Sequence, residues 1–159
     1  MKVLLLDFDG ALNSEQQIRK DKRAGINSEA QGLVSLDICE MARSNLQYIF
    51  ERVPTLKIVV HSTRRTRFSL DEFSVATGIP RENFIDITDP KIYDRHTAIF
   101  TWIKKHPSVT HYVILEDGPM PGDLSRVVQT DPTNGLTLAD AKRAVTILGE
   151  ENDPDLYLF

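Results

Sequence analysis

With a single cysteine, Cys39, the chain of 159 residues cannot close an internal disulfide, which suits a reducing compartment. No apolar run approaches the length needed to span a bilayer. No basic segment leads into a long apolar stretch near the start, so no secretory signal is expected and the cytoplasm is the expected location. No internal repeat, low-complexity tract or linker divides the chain, and a single domain over residues 1–159 is expected, long enough for a full core. A formal net charge of -4 excludes a strong overall attraction for nucleic acid or membrane, though a local basic patch stays open. No glycine-rich turn follows the first strand, which excludes a dinucleotide site there. The four histidines, His61, His96, His106 and His111, lack metal-ligand spacing and read as structural or surface residues.

What the chain does have stands at its start. Val3-Leu4-Leu5-Leu6 runs straight into Asp7-Phe8-Asp9-Gly10. A short apolar run of this kind reads as a strand buried on both faces, as in a parallel sheet. Asp7 and Asp9, two residues apart, would point the same way. Two crowded carboxylates call for an offsetting charge, usually a cation. The end of such a strand is also where open α/β sheets bind ligands.

The rest of the chain alternates strand and helix signals. Residues 14–33 are polar and read as an exposed flap. A helix is expected from Ser35, with Ile38, Met41, Ala42, Ile49 and Phe50 inward and Pro54 just past its end; Cys39 falls on its apolar face, as a packing residue. Lys57 to His61 reads as a strand, Ser69-x-x-Glu72 as a capping box for a helix stopping near Gly78, and Phe84 to Ile87 as a short strand. Asp94 can cap a helix carrying Ala98, Ile99, Trp102 and Ile103. His111 to Leu115 is a strand, Arg126 to Gln129 a weaker one, and Thr137-x-x-Asp140 opens a last helix closed by Gly149. Residues 150–159 are expected to form a tail that docks on the body or on a second subunit. The alternation argues an α/β fold, a three-layer sandwich around a central parallel sheet.

Such a sheet gathers its strand ends along one edge. Those ends carry Asp7 and Asp9, then Ser62-Thr63-Arg64-Arg65, then Glu116-Asp117, with Asp123 soon after. This order resembles the haloacid dehalogenase superfamily, with Leu6-Asp7-Phe8-Asp9-Gly10 as its first motif, Val60-His61-Ser62 as its second, a cation before the fourth as its third, and Leu115-Glu116-Asp117 as its fourth. Arg95 fits the third motif best and Lys91 is the runner-up. Glu116 stands where many members carry Asp or Gly. Closer still, the chain resembles a bacterial subfamily found in RNA-repair "Swiss Army knife" proteins, through Leu6 to Asn13, Ser62-Thr63-Arg64-Arg65, Arg95 to Ile103, Leu115-Glu116-Asp117 and Gly135-Leu136-Thr137. Arg64 replaces that subfamily's tryptophan.

The resemblance implies a Rossmann-like fold and a Mg²⁺-dependent phosphohydrolase working through an aspartyl-phosphate. Asp7 would be the nucleophile, Asp9 the acid and base, and Ser62 and Arg95 the groups holding the phosphoryl oxygens. Asp7, Asp9 (through its backbone carbonyl), Asp117 and Glu116 would form or support the metal site. Gly10, Arg64, Arg65 and Lys91 are the expected substrate contacts, the arginines because guanidinium suits phosphate geometry. The stretches between motifs hold no separate cap domain. An open site admits bulky phosphorylated partners, including nucleotides and nucleic-acid ends. The oligomeric state is open. The alternative is a non-catalytic phosphate- or nucleic-acid-binding module retaining the fold, against which the pairing of Asp7 with Asp9 argues.

Overall fold

The computed structural model describes residues 1–13 and 36–149. The expected flap and tail lie outside the described residues. Five strands form one all-parallel sheet: β1 (Lys2–Leu6), β2 (Lys57–Val60), β3 (Phe84–Ile87), β4 (His111–Glu116) and β5 (Val127–Gln129), in the order β3-β2-β1-β4-β5. The described residues also form four α-helices: α1 (Glu40–Arg52), α2 (Leu70–Thr77), α3 (Arg95–Lys105) and α4 (Leu138–Ile147).

The central strand β1 shows why the layers form. Val3, Leu4, Leu5 and Leu6 are all fully buried, and alternation sends them to opposite faces. Leu4 and Leu6 join Ile58, Val60, Val113 and Leu115 against α1, α2 and α4, through Leu46, Ile49, Phe73, Ala141 and Val145. Val3 and Leu5 join Val59 and Ile114 on the other face, against Ile99 and Trp102 of α3. The result is the three-layer α/β sandwich expected, with no cap domain among the described residues. No helix among them is long and apolar enough to cross a membrane.

Helix starts follow the sequence signals closely, with one correction. The side chains of Ser69, Asp94 and Thr137 accept hydrogen bonds from the backbone N–H three residues on, and Thr137 with Asp140 completes a capping box. The helix expected from Ser35 instead begins at Glu40, after an irregular stretch over 36–39. Cys39 is its N-cap residue but makes no side-chain cap bond, and its backbone N–H donates to the Leu12 carbonyl instead (3.0 Å). Cys39 is half-buried and packs against the core, as expected of it. The buried face of α1 runs through Ala42, Asn45, Leu46 and Ile49, which leaves Met41 outward and 49% exposed.

Candidate active site

Parallel register builds the site before any side chain is considered. Leu6 pairs with Val60 on one side and Leu115 on the other. The next residues, Asp7, His61 and Glu116, therefore arrive at one level beyond the sheet. The ladder runs on through Asp7 N–H to Leu115 O (3.2 Å) and His61 N–H to Leu6 O (3.0 Å). Alternation then puts all three side chains on the face carrying Val3, Leu5, Val59 and Ile114, the face covered by α3. Arg95 is the first residue of α3 and meets them there. Its guanidinium donates to Asp7 Oδ1 (3.4 Å) and Glu116 Oε1 (3.2 Å). A cation at a helix N-terminus opposes the helix dipole, and these two carboxylates offset it.

Asp7 and Glu116 are essentially fully buried. With the half-buried Asp117 they bring carboxylate oxygens within 4.8 Å of one another. Asp7 Oδ1 accepts from Phe8 N–H (2.8 Å), and Glu116 Oε1 accepts from Gly118 N–H (3.1 Å). Asp7 Oδ2 and Glu116 Oε2 are buried and accept no hydrogen bond among the described residues. Buried polar atoms left in that state are rare in folded proteins. Burial, and after it the Glu116 carboxylate, pushes the Asp7 carboxyl from 3.8 up to about 8. Burial, with the Asp117 carboxyl beside it, likewise pushes Glu116 upward. Three carboxylates against the one guanidinium of Arg95 leave two negative charges when all are ionised. A divalent cation closes that balance and supplies a partner for both orphaned oxygens, so the residues present fit a hard, oxygen-liganded metal.

Gly10 shows how tightly the cluster is built. Its φ is +78°, and a Cβ there would lie 2.7 Å from Asp117 Cβ and Cγ, with Oδ2 nearer still. Thr130 Oγ1 donates to the Gly10 carbonyl (2.9 Å), and Gly10 N–H donates to Asn13 O (2.9 Å). Gly10 thus serves the site by letting Asp117 approach.

The other expected residues divide. Asp9 does not turn its carboxylate into the cluster. It faces Arg64, whose Nε donates to Oδ1 and Oδ2 (3.0 and 3.1 Å) while Nη2 reaches Oδ1 (2.8 Å). Ser62 is fully buried, and its Oγ accepts from Arg64 N–H (3.2 Å), capping a 3₁₀ turn over Thr63–Thr66. Arg65 is not brought to the site. It is buried, and its guanidinium donates to the carbonyls of Thr88 (3.1 Å), Ser62 (3.0 Å) and His61 (3.4 Å), tying the ends of β2 and β3 together. Arg95 is the cation that touches the acids, whereas Lys91 sits on an exposed loop held by its backbone N–H to Asp89 Oδ1 (2.9 Å). Asp123 is exposed and caps a short turn through Ser125.

Two neighbours of the site escaped the sequence reading. His61 is fully buried, with Nε2 3.0 Å from Leu115 O and Nδ1 3.7 Å from Glu116 Oε2. Nε2 therefore carries the hydrogen, and burial pushes the ring's pKa down to about 3, so it is neutral. Its signal was positional: it follows β2 as Asp7 follows β1. Thr130, following β5, pins the Gly10 carbonyl from the same edge.

Comparison with known proteins agrees with this geometry. Residues 3–141 match the profile of a family described as the HAD domain in Swiss Army Knife RNA repair proteins. The match spans most of the chain, and the chain belongs to that family. Neither a search of curated proteins nor a search of solved structures returned a match.

Proposed function

We propose that this HAD domain is a Mg²⁺-dependent phosphomonoesterase that removes terminal phosphates from nucleic-acid ends, RNA ends in particular. One observation carries the reading: a buried nucleophile candidate, Asp7, shares a cluster with Glu116 and Asp117 in which two carboxylate oxygens accept no hydrogen bond among the described residues. Family membership supports the substrate class. The absence of a cap among the described residues suits a bulky substrate.

Asp7, Asp117 and Glu116 would hold Mg²⁺, with the Asp9 backbone carbonyl as the ligand the resemblance adds. The ion would supply positive charge where an anionic phosphoryl group meets an anionic nucleophile. The residues divide the remaining work. An Asp7 carboxylate oxygen attacks phosphorus, and the bond from phosphorus to the leaving oxygen breaks. Asp9 gives that oxygen a proton. Arg95, already on Asp7, meets the transferred phosphoryl oxygens together with the Ser62 hydroxyl. Asp9 then takes a proton from water as it attacks the aspartyl-phosphate. Inorganic phosphate leaves, and Asp7 and the protonated Asp9 are regenerated.

The test is phosphate release from nucleotides and from phosphorylated RNA and DNA ends, with and without Mg²⁺. Release that needs Mg²⁺ and vanishes in Asp7→Asn is expected. Turnover surviving in Asp7→Asn, or no release from any phosphorylated end, overturns the reading.

A further inference from the structure

The fork between Arg64 and Asp9 has no part in the chemistry just described and stands in its way. Both Asp9 carboxylate oxygens are engaged by one guanidinium. A carboxyl group held like that cannot present an oxygen to a leaving group. The pair lies toward solvent: the Asp9 side chain is 49% exposed and that of Arg64 20%. The half-exposed Asp9 side leaves the pair open to solvent, so an anion of equal reach can compete for the guanidinium.

The two cations that meet these acids among the described residues thus occupy different sides. Arg95 lies on Asp7 and Glu116, where the transferred phosphoryl group would meet its nucleophile. Arg64 lies on Asp9, the group that addresses the leaving oxygen. An anion able to draw Arg64 away is therefore carried by the leaving group and not by the phosphoryl group in transfer. Resting on the proposed phosphatase reading, we infer that Arg64 is a positioning and specificity residue: it latches Asp9 as a carboxylate in the free protein, and a second phosphate on the leaving group releases it to take from solvent the proton it then gives the leaving oxygen. Guanidinium suits this exchange because its fork fits carboxylate and phosphate alike. Substrates with a phosphodiester or phosphate beside the ester to be cleaved are favoured over simple monoesters. A phosphorylated end of a polynucleotide meets that condition, and a lone mononucleotide does not.

The test compares p-nitrophenyl phosphate and a nucleoside monophosphate with a nucleoside bisphosphate carrying one phosphate at each end of its sugar, in the full chain with Mg²⁺. Arg64→Ala should raise kcat on p-nitrophenyl phosphate by about fivefold, the gain that loss of a partly exposed ion pair of about 1 kcal/mol converts to. The same variant should lower kcat/KM on the bisphosphate by about tenfold or more. Arg64→Lys, which keeps the charge but not the fork, should fall between. A change of the same sign on both substrates overturns the latch. Calorimetric binding of the same nucleotides to Asp7→Asn decides the matter without turnover. There Arg64→Ala should erase the preference for the bisphosphate, and an unchanged preference overturns the inference even where the phosphatase reading stands. Absence of turnover in the unmodified chain counts against the phosphatase reading, and the binding arm still judges Arg64.

Discussion

Substituting Gly10 by alanine tests whether the acid cluster is built as tightly as its geometry implies. Two costs separate cleanly. The first is conformational: at φ +78° an L-residue costs about 1–2 kcal/mol, offset by about 0.4–1 kcal/mol from reduced freedom of the unfolded chain. Gly122 measures that cost alone. Its φ is +84°, and nothing lies within 4 Å of the Cβ it would acquire. Gly122→Ala should therefore lose about 1 kcal/mol. The second cost belongs to Gly10 only. A carbon 2.7 Å from two Asp117 carbons lies well inside van der Waals contact, and those atoms are not the far end of a flexible chain. Nor can the loop back away freely, being tied by Thr130 and Asn13. Overpacking of this kind adds about 1–3 kcal/mol.

Gly10→Ala should thus lose about 2–4 kcal/mol in urea unfolding, which at this chain length lowers Tm by about 5–15 °C, against about 2–4 °C for Gly122→Ala. The contact is with a proposed metal ligand, so divalent-ion affinity should fall about 10–100-fold in Gly10→Ala and stay unchanged in Gly122→Ala. Isothermal titration with Mg²⁺ or Mn²⁺ reads that part. Equal stability losses in the two variants, with equal ion affinities, would refute the claim that Gly10 exists to admit Asp117.

Two further predictions concern the same edge. Because the Asp7 carboxyl is pushed from 3.8 up to about 8 in the folded state, folding favours its protonated form. That stability is complete below the unfolded value and is lost as pH rises through about 8. In EDTA, urea midpoints should fall between about pH 5 and about pH 9, and excess Mg²⁺ or the Asp7→Asn change should flatten the fall; a flat curve in EDTA would count against a buried, raised carboxyl. Arg65→Ala, which strips three carbonyls of a buried charged donor, should cost about 2–4 kcal/mol, whereas Arg64→Ala should cost under about 1 kcal/mol. Similar losses in urea unfolding would mean that Arg65 is no clamp.

The fold was legible because its signals are local and agree with one another. Val3 to Leu6, buried on both faces, reads as a central parallel strand without any knowledge of its neighbours. Ser69, Asp94 and Thr137 cap helices by contacts three residues away. The start of α1 was missed because its anchor is not local. The Cys39 backbone N–H is satisfied by Leu12, remote in sequence, so no capping side chain marks the boundary. The acid cluster was legible for a related reason. In a parallel sheet, equal positions after paired strands coincide in space, which brings Glu116 to Asp7. The same rule brings His61 to that level through the register of β1 with β2, but an imidazole after an apolar strand carries no charge to mark it as the acids are marked.

The arginines of the turn after β2 resist a linear reading for a geometric reason. A 3₁₀ turn has three residues per turn, so successive side chains splay by about 120° and residues three apart eclipse. Thr63 and Thr66 accordingly share the outward side, and both are exposed. Arg64 and Arg65 must then face two different directions, and they cannot grip one phosphate side by side. Which of them meets the site depends on the phase of the turn, and Ser62 sets that phase by accepting the Arg64 N–H. Arg64 swings to Asp9, and Arg65 goes inward to the carbonyls of His61, Ser62 and Thr88. A cluster that sequence shows as one basic patch is two devices. One braces the ends of β2 and β3 beside the acid cluster, the other controls the acid that would act on the leaving group, and only the phase of the turn separates two identical side chains into these two tasks.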